Sequence, residues 1–106
     1  MQLPRPIQTY FTARAPQDGG VLAAAFAPDA IVHDEGLDHR GPQAIRDWWL
    51  AAKVKYRHNA KPINMTDTAG KTVVLATVTG DFPGSPAVLT FTFGLAADLI
   101  TDLEIG

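Results

Sequence analysis

The chain has 106 residues, with nine Lys and Arg against eleven Asp and Glu, 46% hydrophobic and 19% charged residues. That length predicts a single domain over residues 1–106, with one core and too much apolar content for disorder. A net charge of −2 argues against nucleic-acid binding by broad phosphate neutralisation, and the absence of Cys excludes disulfides, a thiolate nucleophile and Cys-ligated metals.

Nine of the eleven acids are Asp, a residue that favours caps, turns and short-armed sites. The chemistry of such a chain must come from Asp, His and Tyr. The first residues lack the apolar stretch of a signal peptide, and the longest apolar stretch, Val21–Ala27, is too short to span a bilayer. A cytoplasmic protein without a membrane partner is expected.

Pro4 and Pro6 suit a helix start, and Ile7, Tyr10, Phe11 and Arg14 follow at helical spacing, which predicts a helix over about 5–15. Pro16 ends it. Asp18 is placed to cap a second helix whose stripe is Val21, Leu22, Ala25 and Phe26, with Pro28 beyond it. Short strands are predicted at 30–34 and 37–40 around the turn at Gly36. A third helix opens at Gly41 and Pro42 and carries Ile45, Trp48, Trp49, Ala52 and Tyr56 on one face.

The second half reads as an antiparallel meander, with strands near 57–67, 71–80, 86–96 and 99–105 joined by turn signals at 67–70, 80–86 and 96–98. Helices grouped before strands indicate an α+β layer. In the strand over 71–80, Val73 and Leu75 face one way while Val74, Ala76 and Val78 face the other, so both sides are apolar. Three short helices cover only one face of such a sheet, which predicts a homodimer through the outer face.

This element order, with Phe26-Ala-Pro-Asp-Ala-Ile-Val-His-Asp34 and Gly41-Pro-Gln-Ala-Ile45, resembles the nuclear transport factor 2-like superfamily. Within it the chain looks most like the SnoaL-like polyketide cyclase and steroid Δ-isomerase branch. The resemblance covers essentially the whole chain and is most specific from Tyr10 to Trp49. It implies a cone-shaped, curved antiparallel sheet packed against the three helices of the N-terminal half around an apolar pocket. It also implies dimers across the outer sheet face.

The resemblance gives the site candidates their roles. Asp34 falls where steroid isomerases of this kind keep the Asp that moves a proton between carbons, and Tyr10 where they keep a Tyr that donates to the substrate oxygen. The spacing of Tyr10, Phe26 and Asp34 matches without a gap. A base beside an α-carbon needs an opposing donor to stabilise the enolate. The match departs at Leu89, where those isomerases carry a second, protonated acid, and this argues against steroid isomerase activity proper. As a purely structural alternative, Asp34 would accept N–H bonds of the turn that follows it.

His58 is a further candidate for proton transfer. Phe26, Val32, Trp48, Trp49, Tyr56, Leu89, Phe91 and Phe93 are candidates for the wall of a pocket suited to a flat apolar ligand. His33, Asp34, Glu35, Asp38 and His39 crowd one strand–turn–strand, but His33 and Asp34 point to opposite faces, so no metal site is expected. Glu35, Asp38 and His39 read as a solvated turn, Asp81 as a turn residue, and Lys53, Lys55, Arg57 and Lys61 as a solvated helix end. The sequence therefore supports two functions. One is a cofactor-independent isomerase, cyclase or dehydratase that uses general acid–base chemistry on an apolar carbonyl compound. The other is a non-catalytic dimeric module that binds a small apolar ligand.

Overall fold

Proline placement sets the first helix. In the computed structural model, which describes all 106 residues, helix α1 runs Arg5–Thr12 with Pro4 at its N-cap and Pro6 in its first turn, where a missing N–H costs nothing. It stops three residues short of the predicted 15. Ala13 turns extended, and the Arg14 N–H donates to Asp18 Oδ2 at 2.9 Å. Asp18 is thereby used on the loop. It makes no side-chain capping bond to helix α2, Gly19–Ala24.

Phe26 corrects the predicted stripe of α2. The chain leaves the helix at Ala25, and strand β1, Phe26–Asp34, begins at once, four residues earlier than predicted. Its entry is fixed by distant chain. Phe26 pairs with Ile100 and the Ile100 N–H donates to the Ala25 carbonyl at 2.9 Å, so tertiary pairing overrides a local helical spacing. Pro28 sits exposed inside β1, where the register of that pairing is interrupted, as a residue without an N–H requires.

Strand β2 spans Leu37–Arg40, helix α3 Gly41–Tyr56, and strands β3 to β6 Asn59–Thr68, Lys71–Thr79, Ala87–Ala96 and Leu99–Ile105. They form one curved, unclosed six-stranded sheet in the order β2-β1-β6-β5-β4-β3. Every neighbouring pair is antiparallel except β1 and β6. That parallel pair joins the first strand to the last and lies beyond the reach of local turn signals. Three tight turns, Glu35-Gly36, Ala69-Gly70 and Ala97-Asp98, have positive φ at both central residues, the geometry that matches strand twist in two-residue hairpins.

Alternation assigns the faces. Ala30 and Val32 of β1, Val74, Ala76 and Val78 of β4, Phe91 and Phe93 of β5, and Leu103 of β6 are buried on the concave side. There they pack with Ile7, Leu22, Ile45 and Trp49 of the three helices in one core. The convex side carries Val73 and Leu75 half-buried among threonines, with Val88 exposed. No helix is long and apolar enough to cross a membrane.

Candidate active site

Asp34 lies two residues beyond Val32 and four beyond Ala30, on the same concave side of β1. At the strand's end the core gives way to a cavity of about 330 Å³, within the usual range of small-molecule pockets. Helix α1 contributes Tyr10 and Phe11 to its wall, and α3 contributes Trp48, Trp49, Ala52, Lys53 and Tyr56. Leu89 and Phe91 of β5 face it from the sheet, and His58 closes the α3 end. Asp34, Tyr10 and His58 are thus brought to one cavity, together with five of the eight predicted wall residues.

Phe26, Val32 and Phe93 are the exceptions. All three are fully or nearly fully buried and lie in the core rather than on the cavity wall. The physical reason is the curvature of the sheet, which places these concave-side positions under the helices. Phe26 and Phe93 act one layer back, with their rings edge-on to Tyr10 at centroid distances of 6.5 and 5.7 Å. Phe91 at 6.0 Å completes the aromatic packing that holds the Tyr10 ring.

The Asp34 carboxyl is half-buried, and Oδ2 accepts a hydrogen bond from the Trp48 indole Nε1–H at 3.1 Å. Burial pushes its pKa above the ordinary carboxylate value. The Trp48 bond opposes that shift, the charge of Glu35 adds to it, and His39 and the Glu35 backbone N–H counter it. Tyr10 is raised too, first by burial and then by the nearby Asp34 charge. It keeps its proton and remains a donor. His58 is pushed down to about 4 by desolvation and by the Lys53 charge, against the pull of the Ala52 carbonyl. Its ring is neutral at physiological pH.

Comparison with known proteins gives the same architecture a family. The model of the SnoaL-like domain matches residues 7–102. The chain belongs to the SnoaL-like family. A Sinorhizobium meliloti protein provisionally named a polyketide cyclase is 43% identical over 98% of this chain and 95% of its own, with a TM-score of 0.91. A Catenulispora acidiphila protein with a ketosteroid isomerase-like fold, solved with trimethylamine, is 15% identical over 99% and 86%, with a TM-score of 0.83. A nuclear transport factor 2-like protein from Cytophaga hutchinsonii is 9% identical over 100% and 90%, with a TM-score of 0.77. The latter two likenesses concern fold. Comparison with curated proteins found no match.

In this SnoaL-like domain three residues have roles that composition alone conceals. Lys53 departs from the expected solvated helix end. It follows Trp49 by four residues and so shares its stripe on α3, lining the cavity half-buried. Its Nζ donates to the His58 carbonyl at 3.1 Å and stands 5.9 Å from the Trp49 ring centroid. The i, i+4 step from Trp49 was the available signal, hidden by the alternating basic residues around it.

Glu35 is more than a solvated turn residue, since it borders the cavity and its Oε1 accepts from the Tyr56 hydroxyl at 2.8 Å. Phe82, in the 80–86 connection, also lines the cavity and meets Tyr56 edge-on at 6.3 Å. The rest of the strand–turn–strand is tied down as well. Asp38 Oδ1 lies 2.6 Å from His33 Nδ1, and the His39 ring lies over Trp48 at 5.7 Å. No three His, Cys, Asp or Glu side chains are grouped so as to hold a metal ion.

Proposed function

We propose that this SnoaL-like domain is a cofactor-independent enzyme that moves a proton within an apolar carbonyl compound, as an isomerase or cyclase. The observation that carries this reading is that Asp34 and Tyr10 both line one largely apolar cavity. Asp34 is the base. Its raised pKa makes the carboxylate a stronger proton acceptor than an exposed Asp, closer to the pH at which it works.

The Asp34 carboxylate takes a proton from the carbon beside the carbonyl, and the C–H electron pair becomes the enolate. The Tyr10 O–H donates to the enolate oxygen as charge builds there, in apolar surroundings where such a bond counts for more than in water. The Trp48 indole N–H fixes the carboxylate oxygen that is not receiving the proton. Asp34 then returns the proton to another carbon, or the enolate carbon attacks a second carbonyl in the same molecule and closes a ring. In the ring-closing form the new alkoxide takes up the proton that Asp34 holds, and neutral His58, also on the cavity wall, is able to relay it. The name of the Sinorhizobium meliloti relative supports the ring-closing form. The transfer itself requires no cofactor.

One observation favours the second reading, a binding module of the same fold. Leu89, apolar and on the cavity wall, leaves Tyr10 as the donor to the substrate oxygen without a second acid beside it. Removing one such donor costs about 10²–10³ in rate in enzymes that depend on it.

The test is hydrogen–deuterium exchange beside the carbonyl of apolar ketones in D₂O, followed by NMR. The wild-type protein is expected to exchange above the buffer rate. Asp34→Asn is expected to fall by about 10²–10⁴, and Tyr10→Phe by about 10². Saturable binding of the ketones without exchange would establish the binding module instead.

A further inference from the structure

We propose that Lys53 forms an imine with the carbonyl carbon of an apolar aldehyde held in the cavity, so that the site is able to bind its ligand covalently. The inference rests on the reading of the cavity as a pocket for apolar carbonyl compounds, and it adds a residue that the proton-transfer mechanism does not use.

Four observations of position carry it. Lys53 lines the cavity, half-buried on the Trp49 stripe of α3. It has no carboxylate partner, whereas the Lys71 ammonium is paired with Asp102 at 2.9 Å. Its one hydrogen bond, to the His58 carbonyl at 3.1 Å, holds Nζ in place while leaving the nitrogen lone pair uncommitted once the amine is neutral. It is also the cavity's one lysine, so a carbonyl group lodged there meets no competing amine. Desolvation lowers its pKa from the ordinary value, which enlarges the neutral, nucleophilic fraction.

The step balances without a further reagent. The neutral Nζ adds its lone pair to the carbonyl carbon, and the carbon–oxygen π pair moves to oxygen. One amine proton passes to that oxygen, giving a carbinolamine. The hydroxyl then leaves as water with the second amine proton, and the carbon–nitrogen double bond forms. His58, whose backbone carbonyl holds the amine, also lines the cavity, and its neutral ring is able to relay either proton.

The protein carries its own controls, because Lys55 and Lys61 are exposed. The experiment treats the full chain with 2-naphthaldehyde and cyanoborohydride, which fixes any imine as a stable secondary amine, and maps the mass increase to individual residues. Quenching of Trp48 and Trp49 fluorescence by the aldehyde reports binding separately. Labelling of Lys53 at least tenfold faster than of Lys55 and Lys61, lost in Lys53→Met and unchanged in Lys55→Met, is the expected result. Circular dichroism of both variants establishes that they are folded, and Lys53→Arg, which keeps the charge without the nucleophile, is expected to bind the aldehyde and resist labelling. Quenching with label spread evenly over the lysines overturns the imine and leaves the cavity reading intact. Neither quenching nor preferential label overturns the imine and counts against the cavity reading as well.

Discussion

Asp34 and His58 show how one apolar cavity moves two titrating groups in opposite directions. Burial disfavours charge on both, raising the acid and lowering the base. For His58 the consequence is a pH dependence of stability with a definite sign. Its ring binds a proton near pH 6.5 in the unfolded chain but only at about 4 in the folded one. As pH falls between those values the unfolded state takes up protons first, and stability drops. An NMR titration of the three histidines is expected to give His58 a midpoint of about 4. A midpoint near 6.5 would mean that its ring is solvated. In His58→Gln, the part of the stability loss that lies between pH 6.5 and 4 is expected to disappear.

At this scale the sequence was informative where a residue's face followed from its neighbours. Ala30, Val32 and Asp34 alternate inward along β1, whereas in the sequence the pocket role of Asp34 rests on the family resemblance. Trp48 and Trp49, about 100° apart on a helix, both reach the wall because the cavity is wide enough to take two adjacent positions of α3. Lys53 is not legible in this way, because its charge and its basic neighbours mask its helical position. The long stem of a lysine lets it lie along apolar surface whatever its charge suggests.

At the scale of elements, a glycine fixes how two strands of the convex face meet. A Cβ on Gly94 of β5 would fall 2.1 Å from Asp102 Oδ1 and 2.9 Å from Thr101 Oγ1 of β6. Asp102 occupies that space while both its carboxylate oxygens accept from Lys71 Nζ at 2.9 Å. Gly94→Ala is expected to displace Asp102 and to destabilise by about 1–3 kcal/mol, as overpacking does. In an Asp102→Ala background most of that cost is expected to vanish, which denaturant unfolding of the four proteins in the cycle measures. Equal cost in both backgrounds would place the strain in the backbone instead.

Element boundaries follow the sequence where local chemistry sets them and depart from it where distant chain does. Helix starts at Pro4–Pro6 and Gly41–Pro42, and the tight turns at Glu35-Gly36 and Ala69-Gly70, are local chemistry and were read within a few residues. Leu22 and Ala25 precede Phe26 at helical spacing and predict helix there, yet its structure is decided by Ile100, seventy-four positions away. The same parallel pairing of β1 with β6 sets Val32 and Phe93 on either side of Leu103, and all three are buried in the core.

For the whole molecule, the central question is what covers the convex face. The three helices pack only on the concave side, while Val73 and Leu75 of β4 and Val88 of β5 stand on the other with Thr77, Thr90 and Thr92 between them. A second copy packed on this surface would bury them, and stable interfaces of this kind need about 1,200–2,000 Å² in total. Light scattering is expected to give a dimer at micromolar concentration and a monomer for Leu75→Glu with the fold retained. A wild-type monomer at that concentration would refute the assembly without touching the cavity, which lies on the opposite face.

That cavity supports the main claim, that Asp34 is the base of a proton-transferring site. The most direct measurement is the pH profile of carbon–hydrogen exchange in an apolar ketone, set beside a ¹³C titration of the Asp34 carboxyl in the same protein. One shared midpoint is expected, above the ordinary value of 3.8 for Asp, with exchange rising as the carboxyl ionises and Asp34→Asn flat at the buffer rate. Exchange that follows a different midpoint, or that survives in Asp34→Asn, would contradict it.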